Sequence, residues 1–484
     1  MSLPKQRILL FLPLAAFVAP GFSNSSSTTG TFNVMPTTLG VSGATPLALE
    51  ERRIAFLADE ATTGAAGTDL NGDTDRIDSV ATVVDAVTGE ETSLGVAASR
   101  LAWADDELFL VVDEALDATD WDGDMVTTSL VLLNWNTGLT EPRFIDTLAA
   151  GSEISRVDDR LYYLTETTPM GAFLSNLSFV DEDAPTVPVS VSTTDATAEL
   201  TLSVLGAEDD LIFLLADETV EARDLNGDTD SGDTSVLLLL DGTDPAGVIR
   251  NTELALPAGA ETVRADSVTS TDWVVAFLVD EAAQGATNLN DPALFAMSWE
   301  PTQCTGPDDA DAIDRVLHYI QWNAWNMDPL TTPPVNTGLV GVDQVLVLGN
   351  SGTAGHVGTI SDEADAGNCD LNGDTDTADR IFRHIEVAAQ VLPTTSMDNL
   401  HALANVPGGT GGAAELQGRF VIVVSEAADG RDLNGDPGND FDLVAWVDPG
   451  ALNAEVPFVF DHSANLSGFE FGATWMQQRA DRER

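Results

Sequence analysis

Leu108-Phe-Leu-Val-Val-Asp-Glu114 is a run of five apolar residues closed by two acids, and variants of it return along the chain. Ile54-Ala-Phe-Leu-Ala-Asp-Glu60, Leu211-Ile-Phe-Leu-Leu-Ala-Asp-Glu218, Val274-Val-Ala-Phe-Leu-Val-Asp-Glu281 and Phe420-Val-Ile-Val-Val-Ser-Glu426 are clear copies, and weaker ones end at Glu166 and Glu363. The seven glutamates stand 54, 52, 52, 63, 82 and 63 residues apart, the mark of a repeated supersecondary unit with insertions in its later copies.

Around Leu108 the unit reads as four short strands. Ser99–Asp106 is a strand and turn, Leu108–Val112 a continuous apolar strand, Ser129–Trp135 a third and Arg143–Leu148 a fourth, with Asp-Asp, Asp-Gly and Asn-Thr-Gly turns among them. A strand apolar at every position must be covered on both faces, whereas a simple sandwich favours alternation. The fold expected is therefore all-β, a β-propeller of about seven four-stranded blades with the acidic loops inserted between blade strands. Eight blades stay open, because Asp311-Ala-Ile-Asp-Arg-Val-Leu-His-Tyr319 echoes Asp376-Thr-Ala-Asp-Arg-Ile-Phe-Arg-His384 while Asn288–Trp299 already resembles a second half. Closure would pair Gly468–Trp475 with the first blade.

Soon after several of the glutamates an acidic loop follows. Asp69-Leu-Asn71-Gly-Asp73-Thr-Asp75 with Asp78, Asp224-Leu-Asn226-Gly-Asp228-Thr-Asp230 with Asp233, and Asp370-Leu-Asn372-Gly-Asp374-Thr-Asp376 with Asp379 are full copies. Asp432-Leu-Asn434-Gly-Asp436 with Asp440 is a fourth, and Asp120-Trp-Asp122-Gly-Asp124 a shorter fifth. Oxygen side chains at positions 1, 3 and 5 converge when the backbone wraps, and hard oxygens without His or Cys select calcium over zinc. A hairpin turn needs one or two such residues, and crowding four or five acids into ten positions without a cation is costly. About four or five Ca2+ sites are expected. A bidentate ligand would come from the acid at position 10 or from the glutamate six to nine residues upstream, Glu60, Glu114, Glu218, Glu363 or Glu426. Asn288-Leu-Asn-Asp291 lacks the first and fifth acids and reads as a relic, and no loop follows Glu166.

The Asp-x-Asn-x-Asp core resembles the calcium loops of EF-hand, dockerin and thrombospondin type 3 proteins. It departs from the EF-hand at position 6, where Thr74, Thr229 or Thr375 replaces glycine, and at position 12, where Val80, Ser235 or Ile381 replaces a bidentate acid. Over residues 47 to 476 the pattern resembles bacterial exported β-propellers of the repeat class that carry such loops, a resemblance that implies no particular activity.

The 484 residues carry 79 acids against 20 bases, a formal charge of −59. So acidic a chain is unsuited to nucleic acid, where Lys and Arg must displace counterions. Lys5 is its single lysine, so P-loop and Schiff-base chemistry lack their amine. Acids outside the loops, Asp308–Asp311 included, read as solvated surface. Lys5 and Arg7, the apolar stretch Ile8–Val18 and the small residues after it read as a signal peptide over 1–23, leading to secretion into the extracellular or periplasmic space. Residues 24–46 follow as a flexible leader, 47–476 as the repeat body and 477–484 as a polar tail. No segment is apolar over the ~20 residues of a membrane span, so no membrane insertion is expected. Cys304 and Cys369, alone in an exported chain, are expected to pair.

The histidines show no metal spacing, and packing or surface roles are expected for His318 and His384. Trp322 and Trp325, in the insertion Tyr319–Pro334, are candidates for an exposed patch contacting sugar or protein. Gly349-Asn-Ser-Gly-Thr353 misses the nucleophile elbow by its last residue. With no catalytic residue singled out, the expectation is a non-enzymatic calcium-binding module for a protein or polysaccharide surface. A calcium-dependent hydrolase or lyase with its acids in a channel, and a structural envelope or matrix subunit, are the alternatives.

Overall fold

The computed structural model describes residues 37, 39–41, 47–166, 174–193, 200–291, 311–349, 355–387, 403, 413–430, 432 and 442–447, apart from a few positions inside those ranges such as 368 and 369. The expected signal peptide, disulfide and polar tail lie outside the described residues, as does Gly468–Trp475. The described chain is all-β with four short helical segments, and it divides into two compact units. Among the described residues no helix is long and apolar enough to cross a membrane.

The first unit comprises residues up to 167 and 178–189. Its strands β1 (Ala48–Glu50), β2 (Arg53–Asp59), β3 (Ser79–Asp85), β4 (Glu91–Ala104), β5 (Glu107–Asp113), β6 (Leu130–Trp135) and β7 (Arg143–Leu148) form one seven-stranded sheet in sequence order. The hairpin β8 (Ser155–Val157) and β9 (Arg160–Leu164) follows. β10 (Leu174–Asp181) and β11 (Val189–Thr193) straddle the division in sequence. In the second unit β12 (Leu202–Glu208), β13 (Leu211–Ala216), β14 (Val236–Asp241) and β15 (Val248–Ala255) pair as antiparallel neighbours, and Ser192 and Thr193 of β11 add to β15 in parallel. A four-stranded sheet β16 (Val263–Thr269), β17 (Asp272–Asp280), β18 (Arg315–Gln321) and β19 (Val335–Val340) comes next. Two three-stranded sheets complete it, β20 (Val345–Leu348), β21 (His356–Asp362) and β22 (Arg380–Glu386), then β23 (Ala413–Leu416), β24 (Arg419–Ser425) and β25 (Asp442–Val447).

The closed propeller of seven or eight blades expected from the repeat is not what these strands form. The unit of four strands exists, but the 14-residue β4 pairs with β3 through its first half and with β5 through its second. It joins two repeats into one sheet whose halves are open half-barrels, and the smaller sheets are not curled. The sequence shows each strand but not that one strand serves two repeats.

The apolar strands are buried on both faces, as their composition requires. In β5, Leu108, Leu110 and Val112 enter one core with Trp103, Val131 and Trp135, while Phe109 and Val111 enter another with Leu132, Leu161 and Tyr163. β17 repeats this, sending Val275, Phe277 and Val279 to one side and Val274, Ala276 and Leu278 to the other. Successive side chains of a strand point to opposite faces, so two cores demand apolar residues throughout. Each large side chain fully buried in this way contributes roughly 1.5–3 kcal/mol.

Trp322 and Trp325 belong to the first of the β17 cores. They lie on the short helix Trp322–Met327 at 1% and 2% exposure, with ring centroids 5.6 Å apart. The exposed aromatic patch expected there is therefore excluded. The helix turns both indoles inward, while Asn323 donates its backbone N–H to Asp272 at 3.2 Å and Asn326 accepts from Arg250. His318 is buried against Phe277, and burial lowers its pKa to about 4. His356 and His384 are likewise buried, 5.7 Å apart.

Candidate metal centres

Six of the repeat strands lead into a glutamate with 0% exposure: Glu60, Glu114, Glu218, Glu281, Glu363 and Glu426. In the best-formed copy, Glu218 Oε1 accepts the backbone N–H groups of Leu225 and Asn226 at 2.5 and 3.1 Å, and Oε2 accepts that of Asp233 at 3.3 Å. Three peptide donors on one carboxylate account for a buried acid that has no basic partner among the described residues. Glu60 grips Leu70, Asn71 and Asp78 in the same way, and Glu363 grips Leu371, Asn372 and Asp379. In the short copy Glu114 holds Trp121, Asp122 and Ser129, the serine standing where the others have their tenth-position acid.

Within a loop the acids first serve its own backbone. Asp224 accepts from Gly227 and Thr229, Asn226 from Asp228, Asp228 from Asp230 and Asp230 from Gly232. Asp69 and Asp370 bind the matching N–H groups of their loops. The tight wrap needs positive φ at the fourth position, met by Gly72, Gly123, Gly227 and Gly373. It needs positive φ at the sixth position too, and there Thr74, Thr229 and Thr375 sit at 86°, 83° and 89°. A β-branched residue in that region is strained, held by the first-position carboxylate on its N–H.

Five groups of acids result, each with carboxylate oxygens within 4.8 Å of one another. They are Glu60 with Asp75 and Asp78, Glu114 with Asp120 and Asp122, Glu218 with Asp228, Asp230 and Asp233, Glu281 with Asp311 and Asp314, and Glu363 with Asp376 and Asp379. All offer hard oxygens alone, the donor set of calcium, and their number matches the four or five Ca2+ sites expected. The positions differ from the expected convergence of 1, 3 and 5. The upstream glutamate with positions 7 and 10 is the common set, joined by position 5 in the Asp228 copy; only the short loop gathers positions 1 and 3. Asp69, Asp73, Asp224, Asp370 and Asp374 stay outside these tightest groups, as does Asp124, whose carboxylate accepts from Val126. Of the fourth loop only Asp432 is described; Asn434, Asp436 and Asp440 lie outside the described residues.

The Glu281 group corrects the reading of Asn288–Asp291 as a relic. Glu281 Oε1 accepts from Leu289 and Asn290, Oε2 accepts from Asp314, and Asn290 Nδ2 reaches Asp314 at 3.1 Å. An insertion divides positions 3 and 7 of this loop, and the split hid the site. The echo of Asp311–Asp314 in Asp376–Asp379 was the signal that could have found it. In the intact loops the asparagine Oδ1 accepts the N–H two residues on; here that residue is Pro292, which has none, and Asn290 Oδ1 is buried without a hydrogen-bond partner. A buried, unpartnered oxygen of this kind suits a cation.

Crowding perturbs the tenth-position acids. Burial, then the charges of Asp75, Asp73 and Glu60, raise Asp78 to about 6. Asp233 and Asp379 are raised to about 6 and Glu363 to about 7, burial leading in each.

A separate set of acids, read in the sequence only as solvated surface, gathers in the first unit. Glu182 follows β10, Asp159 lies in the β8–β9 turn and Asp105 in the β4–β5 turn. Glu182 donates its N–H to Asp159 O at 2.9 Å, and its Oε2 is buried without a hydrogen-bond partner. Burial and the nearby Asp159 and Asp105 raise Glu182 to about 7, and Asp159 is also raised, chiefly by burial.

No family model and no curated protein matches the chain. The resemblance to EF-hand, dockerin and thrombospondin type 3 loops thus has no family relationship behind it, and the resemblance to exported propellers fails on the sheet topology. Among solved structures the chain is similar to prolyl oligopeptidase B from Galerina marginata, at 9% identity and a TM-score of 0.31, over 84% of this chain and 46% of that one. It is similar to dipeptidyl peptidase 4 of Porphyromonas gingivalis at 9% identity and 0.36, over 80% and 51%, and to the N-terminal domain of Nup159 at 9% and 0.29, over 85% and 88%. The chain spans about half the length of the two peptidases. Likeness at this level bears on neither activity nor partner.

Proposed function

We propose that the chain is an exported protein that works in its calcium-loaded form. The observation that carries this reading is the recurrence, five times, of a buried glutamate gathering two or three further acids with no base among them. The ligands expected from sequence, Asp75, Asp78, Asp120, Asp122, Asp228, Asp230, Asp233, Asp376 and Asp379, are proposed to hold the ions with their upstream glutamates and Asp311 and Asp314. Export through residues 1–23 supplies the calcium-rich surroundings that weak extracellular sites need.

Between a passive binding module and a calcium-dependent hydrolase or lyase, Glu182 favours the second. A general acid must keep its proton near neutral pH, and a carboxyl raised to about 7 beside a second carboxyl, apart from the metal loops, has that property. Calcium-loaded protein assayed on panels of polysaccharide, ester and peptide substrates tests this. Turnover lost in Glu182→Gln with the calcium count unchanged supports it; absence of turnover on every panel, with a surface ligand bound instead, returns the protein to the binding-module class.

A further inference from the structure

Two acidic loops are touched by the turn that follows the next repeat's glutamate, and a third feels that turn's charge. In the second unit Asn226, third in its loop, donates Nδ2 to Ala283 O at 2.7 Å, and Gln284 Nε2 donates back to Asn226 O at 3.1 Å. Gln284 N in turn donates to Glu281 O at 3.2 Å. Gly285 lies so close that a Cβ there would stand 3.1 Å from Asp228 Cβ. The same relation recurs at the Asp370 loop, where a Cβ on Gly430, four residues past Glu426, would stand 3.3 Å from Asp374 Cβ. In the first unit it recurs chemically: Asp117, three past Glu114, feels the charge of Asp73 and accepts Trp121 Nε1, in the next loop, at 2.7 Å.

We propose that adjacent calcium sites are coupled in series through these turns, a regulation that rests on the calcium reading of the loops. Asn226 and Asp228 belong to the loop that Glu218 closes, and the turn 282–285 that they hold begins at Glu281. Ordering the first loop around its ion fixes this turn, and the turn sets the position from which Glu281 grips Leu289, Asn290 and Asp314. Coupling free energies are reciprocal, so filling the Glu281 site equally favours the Asp224 loop. The series breaks at Glu166, which carries no loop, so the Glu60 loop lies outside the pair's influence.

Hydrogen exchange resolved by peptide, followed across a calcium titration of the full chain, reads each site separately. Asp230→Asn removes one acid from the Asp224 loop. It should raise the calcium needed to protect residues 281–290 by about fivefold or more, with the midpoint for residues 60–78 unmoved. Gln284→Ala, which removes no acid, should separate the 224–233 and 281–290 transitions. In that background Asp230→Asn should shift residues 281–290 less. If Asp230→Asn abolishes its own site while the 281–290 midpoint stays in place, the coupling is wrong and the calcium reading survives. If calcium protects no loop, both are wrong.

Discussion

Glu218 and Asp233 are joined across the loop between them, the glutamate's Oε2 accepting the aspartate's backbone N–H at 3.3 Å while the two carboxylates share one acid cluster. The glutamate thus has two tasks, closing the loop through peptide donors and contributing charge to the cation site. Glu218→Gln keeps one acceptor oxygen but turns an amide N–H toward a peptide N–H. We expect it to lose one calcium ion and to destabilise the calcium-loaded protein by about 2 kcal/mol, read by denaturant unfolding and metal count. Retention of the full count would restrict Glu218 to the backbone task.

Thr229 holds φ at 83° in a loop where the fourth position is glycine. Its backbone N–H is bound by Asp224, a bond that glycine preserves. Thr229→Gly relieves the strain at the cost of a more flexible unfolded chain, so a net gain of about 0.5–1 kcal/mol is expected. Thermal melting of the calcium-loaded variant checks it; a loss would mean that the threonine side chain makes a contact worth more than the strain.

The raised pKa values fix the sign of the pH response. In calcium-free protein Asp78, Asp233 and Asp379 keep protons up to about 6, against 3.8 for an ordinary aspartate. Between those values the folded state binds more protons than the unfolded one, so stability falls as pH rises through the window. Calcium reverses this, because it requires the ionised form and competes with the protons. Chelated protein should melt higher at pH 5 than at pH 7, calcium-loaded protein the other way round, and identical profiles with and without calcium would contradict the assignment.

Trp322 is a core residue, at 1% exposure beside Trp325 and Ile320. Trp322→Ala should cost about 3–5 kcal/mol of stability, measured by equilibrium unfolding. Weakened ligand binding with unchanged stability would restore the surface role that its place in an insertion had implied.

The strands were legible in the sequence because a β-strand buried on two faces must be apolar at consecutive positions, as at Leu108–Val112 and Val274–Val279. The metal loops were legible because their acids crowd beyond what a turn requires. Closure was not legible: β4 pairs on both edges along its length, and nothing in Glu91–Ala104 marks where one repeat ends. The Glu281 site escaped because an insertion separates Asn290 from Asp311, so the acids meet in space but not in a short window. Trp322 and Trp325 misled because an insertion reads as surface until its helix is seen to fold inward. Glu182 is invisible among 79 acids, since its raised pKa comes from burial and from acids in turns far apart in the sequence.

The most direct measurement is a calorimetric titration of the chelated protein with calcium, paired with metal analysis of the saturated sample. The five acid groups predict about five ions per chain, with binding heat and a higher melting temperature. Asp230→Asn and Asp376→Asn should each remove one ion. No binding heat, together with a melting curve indifferent to chelator, would contradict the claim that these loops exist to hold calcium.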